Sequence, residues 1–166
     1  MTAFNDLPEF ILGPLAARSD SDWYQAPPGK WCTAQIVHHL AVGIEGSGRA
    51  FESRADKPAM ARRPRSLFAR IGHLLIMNLG WFPPGRKAPS QSLPAERPER
   101  AAVERQFTEG VQRFLDLERR LLPTRSADLF VKHPDLGDLT LGEWMRFHVR
   151  HAEHHAGQIR GRLAGG

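Results

Sequence analysis

The sequence predicts an all-α fold: a four-helix bundle formed by one domain over residues 1–166. The length of 166 residues suits one domain with a substantial core. A hydrophobic content of 41% and a charged content of 25% are ordinary for a soluble globular protein. Four stretches carry apolar residues at helical spacing, and one long proline-rich connection separates the second stretch from the third.

The first predicted helix is short and lies within residues 5–18. Gly13 and Pro14 interrupt it, because a proline ring does not fit the interior of a regular helix. Its apolar residues are Leu7, Phe10, Ile11, Leu15 and Ala16. The residues that follow, 19–31, are dense in turn-forming types and are interpreted as a loop.

The second predicted helix begins at Cys32 or Thr33 and ends near Arg54. Its inward face is formed by residues that share one sector when each residue advances by about 100°. These residues are Ile36, Leu40, Ile44, Ser47 and Phe51. Cysteine is a poor N-cap, so we expect Thr33 to cap this helix.

The long connection covers residues 58–96 and contains six prolines. Within it, SLFARIGHLLIMNLGWF at 66–82 predicts one short extra helix that covers the core or forms a dimer contact. This stretch is shorter than the roughly 20 residues of a membrane-spanning helix. We favour these interpretations over a helix that lies on a membrane surface.

The third predicted helix runs from about Pro98 to Leu122 and has the clearest period in the chain. Pro123 is expected to end it. Its apolar residues, at steps of three and four, are Val103, Phe107, Val111, Phe114, Leu115, Leu121 and Leu122. The next residues, 125–139, predict a loop with one extended segment at 129–131.

The fourth predicted helix begins at Thr140 and runs to about Leu163. Thr140 and Glu143 have the spacing of a capping box, in which a hydroxyl and a carboxylate each accept a hydrogen bond from a backbone N–H. This helix carries half of the eight histidines of the chain. They are His148, His151, His154 and His155.

Charge and cysteine content limit the classes of function. The formal net charge is +5, but the arginines are scattered and acids interleave with many of them, so we interpret them as solvated helix faces rather than a nucleic-acid site. The single cysteine, Cys32, excludes an internal disulfide framework and a multi-cysteine metal site. The N-terminus does not resemble a signal peptide and no apolar run is long enough to span a membrane, so with the single cysteine we expect a cytoplasmic protein. We expect neither a membrane nor a nucleic-acid partner.

His151 and His155 are the candidate metal ligands of the fourth helix. They lie one turn apart at the edge of the apolar stripe, so two imidazole nitrogens can converge on one divalent ion at about 2.1 Å. Such pairs also occur on helix surfaces without a metal, and from the residues alone that alternative stays open. Nearby, His148 is expected in the core or behind the site, His154 at its rim, and Gln158 within hydrogen-bonding reach.

The second helix supplies a third candidate ligand, His39. This residue lies at the flank of the apolar sector, whereas His38 points nearer to solvent. If the second and fourth helices pack together, His39 meets His151 and His155 inside the bundle. Facing side chains in a bundle interior are a common place for metal sites.

Two motifs resemble those of DinB/YfiT-like proteins. GKWCTAQIVHHLA at 30–42 resembles the Gly-Lys-Trp-Ser…His-Leu signature of this family. HPDLGDLTLGEWMRFHVRHAEHHAGQI at 133–159 resembles its final loop and helix, with a Gly-x-Leu-Thr cap, a tryptophan and HxxxHxxQI. The motifs occur in the order and at the separation of the family, and the helix count and chain length agree with it.

The resemblance implies an up-down-down-up order of the four helices and a divalent metal, nickel or zinc, held by three histidines. By motif position these are His39, His151 and His155. The resemblance also implies a homodimer. Some members are transferases or isomerases that use a low-molecular-weight thiol such as bacillithiol, mycothiol or glutathione, and others are described as metal-dependent hydrolases.

The sequence departs from the family pattern at two places. Cys32 stands where the signature has serine, and it precedes His39 by two turns, so we do not expect it to bind the metal. Many relatives have an acidic residue a few positions after the first histidine, where residues 42–44 of this chain are Val-Gly-Ile. Glu45 comes later and on a different side of the helix, which argues against a shared acid–base role.

Two hypotheses of function follow. In the first, the chain is a metal-dependent enzyme, a thiol S-transferase or a hydrolase, in which the cation activates a thiol or water for transfer to a small-molecule substrate. In the second, the three histidines join two helices of a non-catalytic, dimeric interaction module. An enzyme requires an open coordination position, whereas the module requires a site filled by protein ligands.

Overall fold

The computed structural model describes residues 2–85 and 88–164, and the fold of these residues is mostly helical. The α-helices within these ranges are α1 (Leu7–Leu12), α2 (Asp20–Tyr24), α3 (Thr33–Glu52), α4 (Leu67–Gly72), α5 (Arg100–Arg125) and α6 (Leu141–Ala164). Two short strands, β1 (Val131–His133) and β2 (Gly137–Leu139), precede α6. The remaining regular segments are 3₁₀ turns at Phe4–Asp6, Gly13–Leu15 and Ser90–Ser92, and a π-helical turn at His73–Asn78.

The predicted helical class is confirmed, and α1, α3, α5 and α6 occupy the positions of the four predicted bundle helices. The up-down-down-up order of these helices stays a prediction. The five inward positions predicted for α3 are all buried. The helical period of this segment therefore identified the face that packs on the core.

Aromatic rings fill the centre of the core between α3, α5 and α6. The ring centroids of Phe51 and Phe114 are 5.9 Å apart, and the two rings meet edge-on. Phe51 also meets Phe130 at 6.1 Å and Trp144 at 6.3 Å. Both Phe51 and Phe114 are fully buried, so one phenylalanine of α3 joins residues from three other parts of the chain.

A glycine sets the close approach of α3 and α5. A Cβ atom added at Gly110 would lie 2.9 Å from Cγ2 of Ile44 and 3.5 Å from the backbone nitrogen of Glu45. Ile44 is itself buried and β-branched, so its side chain has little freedom to move aside. The spacing of the two helices therefore depends on the absence of a side chain at position 110.

The two helices that carry the candidate ligands begin at well-defined caps. The Thr140 hydroxyl accepts the N–H of Glu143 at 3.3 Å, and the Glu143 carboxylate accepts the N–H of Thr140 at 2.8 Å, which confirms the predicted capping box. The predicted cap of α3 was wrong. Cys32, with extended backbone angles, is the N-cap and donates its N–H to the side-chain oxygen of Gln35 at 3.1 Å. Thr33 is instead the first helical residue and is buried.

Residues 19–31 were predicted as a loop, but they contain α2. The cause is a local capping box: Ser19 donates its N–H to the Asp22 carboxylate at 3.0 Å, and Asp22 donates its N–H to the Ser19 hydroxyl at 3.3 Å. The resulting turn carries Trp23 fully into the core. Burial of this indole stabilises a segment whose composition alone favours a loop.

The predicted end of the third helix was also wrong, because α5 continues through Pro123 to Arg125. Proline removes one backbone donor from a helix, so another interaction must hold the last turn in place. The guanidinium of Arg125 donates to the backbone carbonyl oxygens of Ala55 and Lys57, the latter at 2.8 Å, and to the Asp128 carboxylate at 2.7 Å. These bonds tie the end of α5 to the chain that follows α3.

The loop after α5 forms a β-hairpin instead of one extended segment at 129–131. In this antiparallel pair, Val131 faces Leu139 and His133 faces Gly137. Gly137 has φ +79°, a conformation that residues with a side chain rarely adopt, and it allows the chain to reverse. The hairpin leads directly into the cap of α6.

The extra helix predicted at 66–82 is present as α4 and the π-helical turn that follows it. The Ser66 hydroxyl caps it by accepting the N–H of Ala69 at 3.2 Å, and Gly80, with φ +65°, follows its last turn. Its inner side buries Ala69, Ile76 and Met77. No helix in the described parts of the chain combines the length and the apolar character needed to cross a membrane.

Candidate metal centre

α3 and α6 bring together the imidazole rings of His39, His151 and His155. Nε2 of His151 lies 3.2 Å from Nε2 of His39 and 3.0 Å from Nε2 of His155. One nitrogen from each ring lies within 4.8 Å of the nitrogens of the other two. The three residues singled out from the sequence thus converge on one point, and as a group they could hold a metal ion.

Two of the rings are oriented by hydrogen bonds at their other nitrogen. Nδ1 of His39 donates to the backbone carbonyl oxygen of Ser92 at 2.6 Å. Nδ1 of His155 donates to Oε1 of Gln158 at 2.9 Å. A carbonyl oxygen only accepts, so both Nδ1 atoms carry the proton and both Nε2 atoms present a lone pair to the group. An acceptor behind each ligand is the usual arrangement around a metal-binding histidine.

The three Nε2 atoms cannot satisfy one another without a cation. His39 and His155 each present a lone pair, and His151 can donate one Nε2 proton to only one of them. At least one of the two close nitrogen–nitrogen contacts therefore has no proton to share between its two nitrogens. A divalent cation bound by all three nitrogens removes this conflict, so the donor set fits a metal ion.

Burial keeps this group of histidines uncharged. Burial is the largest cause that lowers the pKa of His39, His151 and His155 below the ordinary range. Mutual repulsion between the imidazoles lowers the pKa of His151 and His155 further, and that of His155 falls to about 3. Neutral imidazole is the form that binds a metal, so protons compete weakly with a cation at neutral pH.

Aromatic side chains pack against the candidate ligands. Phe147, one turn before His151 on α6, stacks on its ring with centroids 5.5 Å apart and planes 18° apart. Phe82, from the long connection, lies 5.6 Å from the ring of His151. Trp31 lies 5.1 Å from the ring of His39. These rings limit the rotation of the imidazoles and shield them from water.

Within residues 2–85 and 88–164, no further histidine, cysteine or carboxylate joins the group. Cys32 is a buried free thiol at the start of α3. Glu45 is directed towards α5: its carboxylate accepts a hydrogen bond from Gln106 of that helix and another from Arg49 of α3. Three protein ligands for a cation that prefers four or more leave at least one coordination position to another molecule.

His148, one of the three neighbours expected near the site, lies in the core. Its Nε2 is 2.9 Å from the hydroxyl oxygen of Ser47, which donates its own proton to the carbonyl oxygen of Gly43 at 2.7 Å. The ring also packs edge-on against Phe114 at 5.2 Å. Burial lowers the pKa of His148 to about 3, so it is neutral and hydrogen-bonded.

His154 lies at the edge of the group and is partly exposed. Its ring stacks on Phe82, with centroids 4.8 Å apart, and its Nε2 accepts a hydrogen bond from Nε2 of Gln158 at 3.2 Å. Gln158 therefore bridges His154 and His155, since its amide oxygen accepts from one ring and its amide nitrogen donates to the other.

No pattern in the sequence predicts that the long connection contacts the candidate metal centre. Ser92 acts through its backbone carbonyl, which any residue type supplies, and Phe82 lies in a proline-rich stretch without a spacing partner. The N–H of Ala95 donates to Nδ1 of His38 at 2.9 Å, so both histidines at the start of α3 bind this connection. Phe82 and Ser92 of the long connection thus contact the centre from outside the bundle.

Replacing Gln158 with leucine is expected to weaken divalent-metal binding roughly 10–100-fold, because His155 loses the acceptor that fixes its tautomer and orientation. Titration calorimetry with nickel or zinc on tag-free protein measures this change. Gln112→Leu is the matched control, since Gln112 is exposed on α5 and bonds only to Asp116 in the described part of the chain. Equal affinities in both variants would show that the Gln158 bond does not support the centre.

His148 predicts a pH dependence of stability. The pKa is about 3 in the folded chain and about 6.5 when unfolded, so the unfolded state alone takes up the proton between these values. The contribution of His148 to the free energy of unfolding is therefore fully present above the upper value. Below it, this contribution falls by roughly 1.4 kcal/mol for each pH unit. Urea unfolding of metal-free protein at pH 7, 6 and 5 gives the free energy of unfolding at each pH. It should fall with decreasing pH less steeply in His148→Gln than in wild type, by about that amount per pH unit. Equal slopes in the two proteins would show that His148 is not a buried, neutral histidine.

The comparison with known families agrees with the geometry. A family model described as the DinB superfamily matches residues 11–159, which is most of the chain. The matched range contains all three histidines of the candidate centre. No curated protein and no solved structure matches the chain significantly. The length of the family match shows that the chain is a member of the DinB superfamily.

Proposed function

We propose that this protein is a metal-dependent enzyme in which His39, His151 and His155 hold one divalent cation, nickel or zinc. The observation that carries the proposal is the convergence of three neutral imidazoles without a fourth protein donor among the described residues. Structural zinc sites are closed by four protein ligands, whereas catalytic sites use three and leave one position to a substrate or water. The donor set therefore favours a reactive centre over a structural one.

When bound, a divalent cation supplies Lewis acidity, which makes a thiol or a water molecule nucleophilic at neutral pH. The residues of the chain favour the thiol. Glu45, the acidic residue that follows His39 on α3, is occupied by Arg49 and Gln106, so it does not serve as a base for water. A thiol has a pKa near 8.5 and needs less activation than water, whose pKa is about 15.7.

We therefore propose a low-molecular-weight thiol as the second cofactor. In the reaction its S–H bond loses the proton to solvent, and the intact thiolate forms a bond through sulfur to a small electrophilic substrate. The aromatic rings of Trp31, Phe82 and Phe147 pack against the histidines and reduce the access of water to them, which strengthens the electrostatic interactions inside the centre. Hydrolysis is the variant of the same proposal in which water takes the place of the thiol. The competing function, a non-catalytic dimeric module, requires the bound cation to be closed to small molecules.

A spectroscopic titration separates these functions. Tag-free protein loaded with cobalt(II) is titrated with a low-molecular-weight thiol such as glutathione, and the near-ultraviolet absorption is recorded. An open position predicts a saturable thiolate-to-cobalt charge-transfer band, because the thiol enters as a thiolate. Gln112→Leu, altered far from the centre, should give the same band. A spectrum that no thiol changes, in protein that retains its cobalt, contradicts the thiol-dependent enzyme and favours the closed module.

A further inference from the structure

One surface segment, residues 67–81, exposes an unusual number of large hydrophobic side chains; we call it the apolar segment. All but one of the exposed large hydrophobic residues in the described parts of the chain lie in it, with exposed fractions between 49% and 73%. They are Leu67, Phe68, Ile71, Leu74, Leu79 and Trp81. A cluster of this kind marks an interaction surface, because scattered single residues are the norm on soluble proteins.

The apolar segment is attached to the body by one side only. Ala69, Ile76 and Met77 are buried on that side. Gly72 lies against the hairpin, since a Cβ atom there would be 3.2 Å from Cδ2 of Leu136. The exposed residues Leu67, Ile71 and Leu74 follow the spacing i, i+4, i+7 and so share the opposite face of the helix. The segment thus has a packed inner face and an apolar outer face.

The part of the sequence that contains this segment has a higher net positive charge than the chain as a whole. Residues 57–95 contain seven cations and no aspartate or glutamate, whereas the net charge of the whole chain is only +5. The cations are Lys57, Arg62, Arg63, Arg65, Arg70, Arg86 and Lys87. Arg63 and Arg65 form ion pairs with Asp138 at 2.9 Å and Glu143 at 3.3 Å, while Arg62 and Arg70 are exposed. Arg86 and Lys87 lie outside the described residues.

Against the expectation from the sequence, we propose that the apolar segment docks on the surface of an anionic phospholipid bilayer. An aliphatic and aromatic face flanked by cations has the two properties that such surfaces select: apolar side chains enter the headgroup boundary, and Lys or Arg attract anionic lipid. Trp81, half exposed at the end of the segment, has the amphipathic ring that is enriched at this depth.

The charge argues against the other occupants. In a twofold contact between two copies, each segment would face its own image, so the excess of cations on one copy would meet the same excess on the other. A nucleic acid would satisfy the cations, but it offers no continuous apolar phase for Leu67, Ile71 and Leu74, and single-stranded sites use aromatic stacking rather than an aliphatic face. A lipid surface satisfies both the charges and the aliphatic side chains.

Docking would place the bilayer beside the candidate metal centre. The apolar segment ends one residue before Phe82, whose ring contacts the rings of both His151 and His154. A surface bound by Leu79 and Trp81 is therefore continuous along the chain with a wall of the centre. The docking proposal does not depend on a metal or on turnover, since it stands on side-chain exposure and charge alone.

Vesicle co-sedimentation of the full chain tests the proposal. Wild type is expected to sediment with vesicles of phosphatidylglycerol and phosphatidylcholine, and to stay in solution with phosphatidylcholine alone. Arg62→Glu with Arg70→Glu should lower the partition coefficient by more than about 20-fold, because each cation near an anionic surface contributes roughly fivefold. Leu67→Ser with Ile71→Ser should lower it by more than about tenfold, because the apolar face no longer enters the interface.

The matched control is Arg105→Glu with Arg120→Glu, which reverses the same two charges at exposed positions of α5. Its partition coefficient should change by less than about threefold, because screening removes the effect of charges far from the bound surface. Thermal melts by circular dichroism verify that each variant is folded.

Three outcomes would overturn the proposal: no partition into anionic vesicles at low salt, an equal loss in the control, or conversion of a wild-type dimer to a monomer by Leu67→Ser with Ile71→Ser in sedimentation equilibrium. The last result would assign the apolar segment to a second copy.

Binding to duplex DNA that depends on Arg62 and Arg70 but not on Leu67 and Ile71, without vesicle binding, would assign the cations to a nucleic acid. A blue shift of tryptophan emission on vesicles that is lost in Trp81→Phe would locate the contact.

Discussion

Replacing His151 with alanine is expected to abolish stoichiometric binding of a divalent metal. The affinity should fall by well over 100-fold, because removing only a residue that hydrogen-bonds to a metal ligand already lowers it by up to roughly 100-fold. His151 is the central ring of the group, because its Nε2 lies 3.2 Å and 3.0 Å from the Nε2 atoms of His39 and His155. Its removal leaves one ligand on each of two helices. Titration calorimetry of tag-free, metal-free protein with nickel or zinc measures the change.

His154→Ala is the matched control for this prediction. The residue is a histidine of the same helix, adjacent to His155, but its Nε2 bonds to Gln158 and not to the group. Its loss should weaken binding by less than about tenfold, through the orientation of Gln158 alone. If His151→Ala still binds one ion with the affinity of wild type, or if both variants lose the metal equally, the assignment of the ligands is wrong.

The largest expected effect on stability comes from Phe51→Ala, which should lower the free energy of unfolding by about 4 kcal/mol. The ring is fully buried and meets Phe114, Phe130 and Trp144, which come from α5, the segment before the hairpin and α6. Its truncation leaves a cavity at the point where these elements join, and rigid aromatic neighbours cannot collapse to fill it. Urea unfolding followed by circular dichroism measures the loss.

Phe68→Ala provides the comparison, since it deletes the same ring at a position that is 63% exposed. The expected cost is below about 1 kcal/mol, because little apolar surface returns to water. Similar costs for the two variants would mean that Phe51 is not the centre of the core. Metal-free protein should be used for both, so that binding does not contribute to the measured stability.

The candidate centre could be predicted from the sequence because its parts are carried by regular helices. The spacing of His151 and His155 fixes their common face once α6 is a helix, and the period of α3 places His39 at the flank of its buried sector. What the period leaves open is whether two helices meet at these positions. The resemblance to a known family supplied that information, and the structure brings the three rings together.

Several local features could not be predicted, because they depend on contacts between distant parts of the chain. Pro123 is tolerated within α5 since Arg125 bonds to the carbonyl oxygens of Ala55 and Lys57, about 70 residues earlier. α2 forms in a turn-rich stretch because Trp23 finds a place in the core. Propensity describes a residue and its neighbours, so it is overridden where tertiary burial is large.

The long connection is the clearest case of a functional region without a sequence period. Its backbone binds α3 through the carbonyl of Ser92, which accepts from His39, and the N–H of Ala95, which donates to His38, and the ring of Phe82 contacts His151. The first two are independent of residue type. The exposed apolar face at 67–81 was visible as a hydrophobic stretch, but only its burial pattern separates the side that packs from the side that faces outward.

X-ray absorption at the metal edge of tag-free protein counts the imidazoles that bind the cation. We expect one nickel or zinc ion per chain, with three imidazole nitrogens at about 2.0–2.1 Å and at least one further light atom that no protein residue supplies. The imidazole signal should fall in His39→Ala and persist in His38→Ala, whose side chain bonds to Ala95 instead. A spectrum with fewer than three imidazoles, or a chain that takes up no divalent ion, would contradict this expectation.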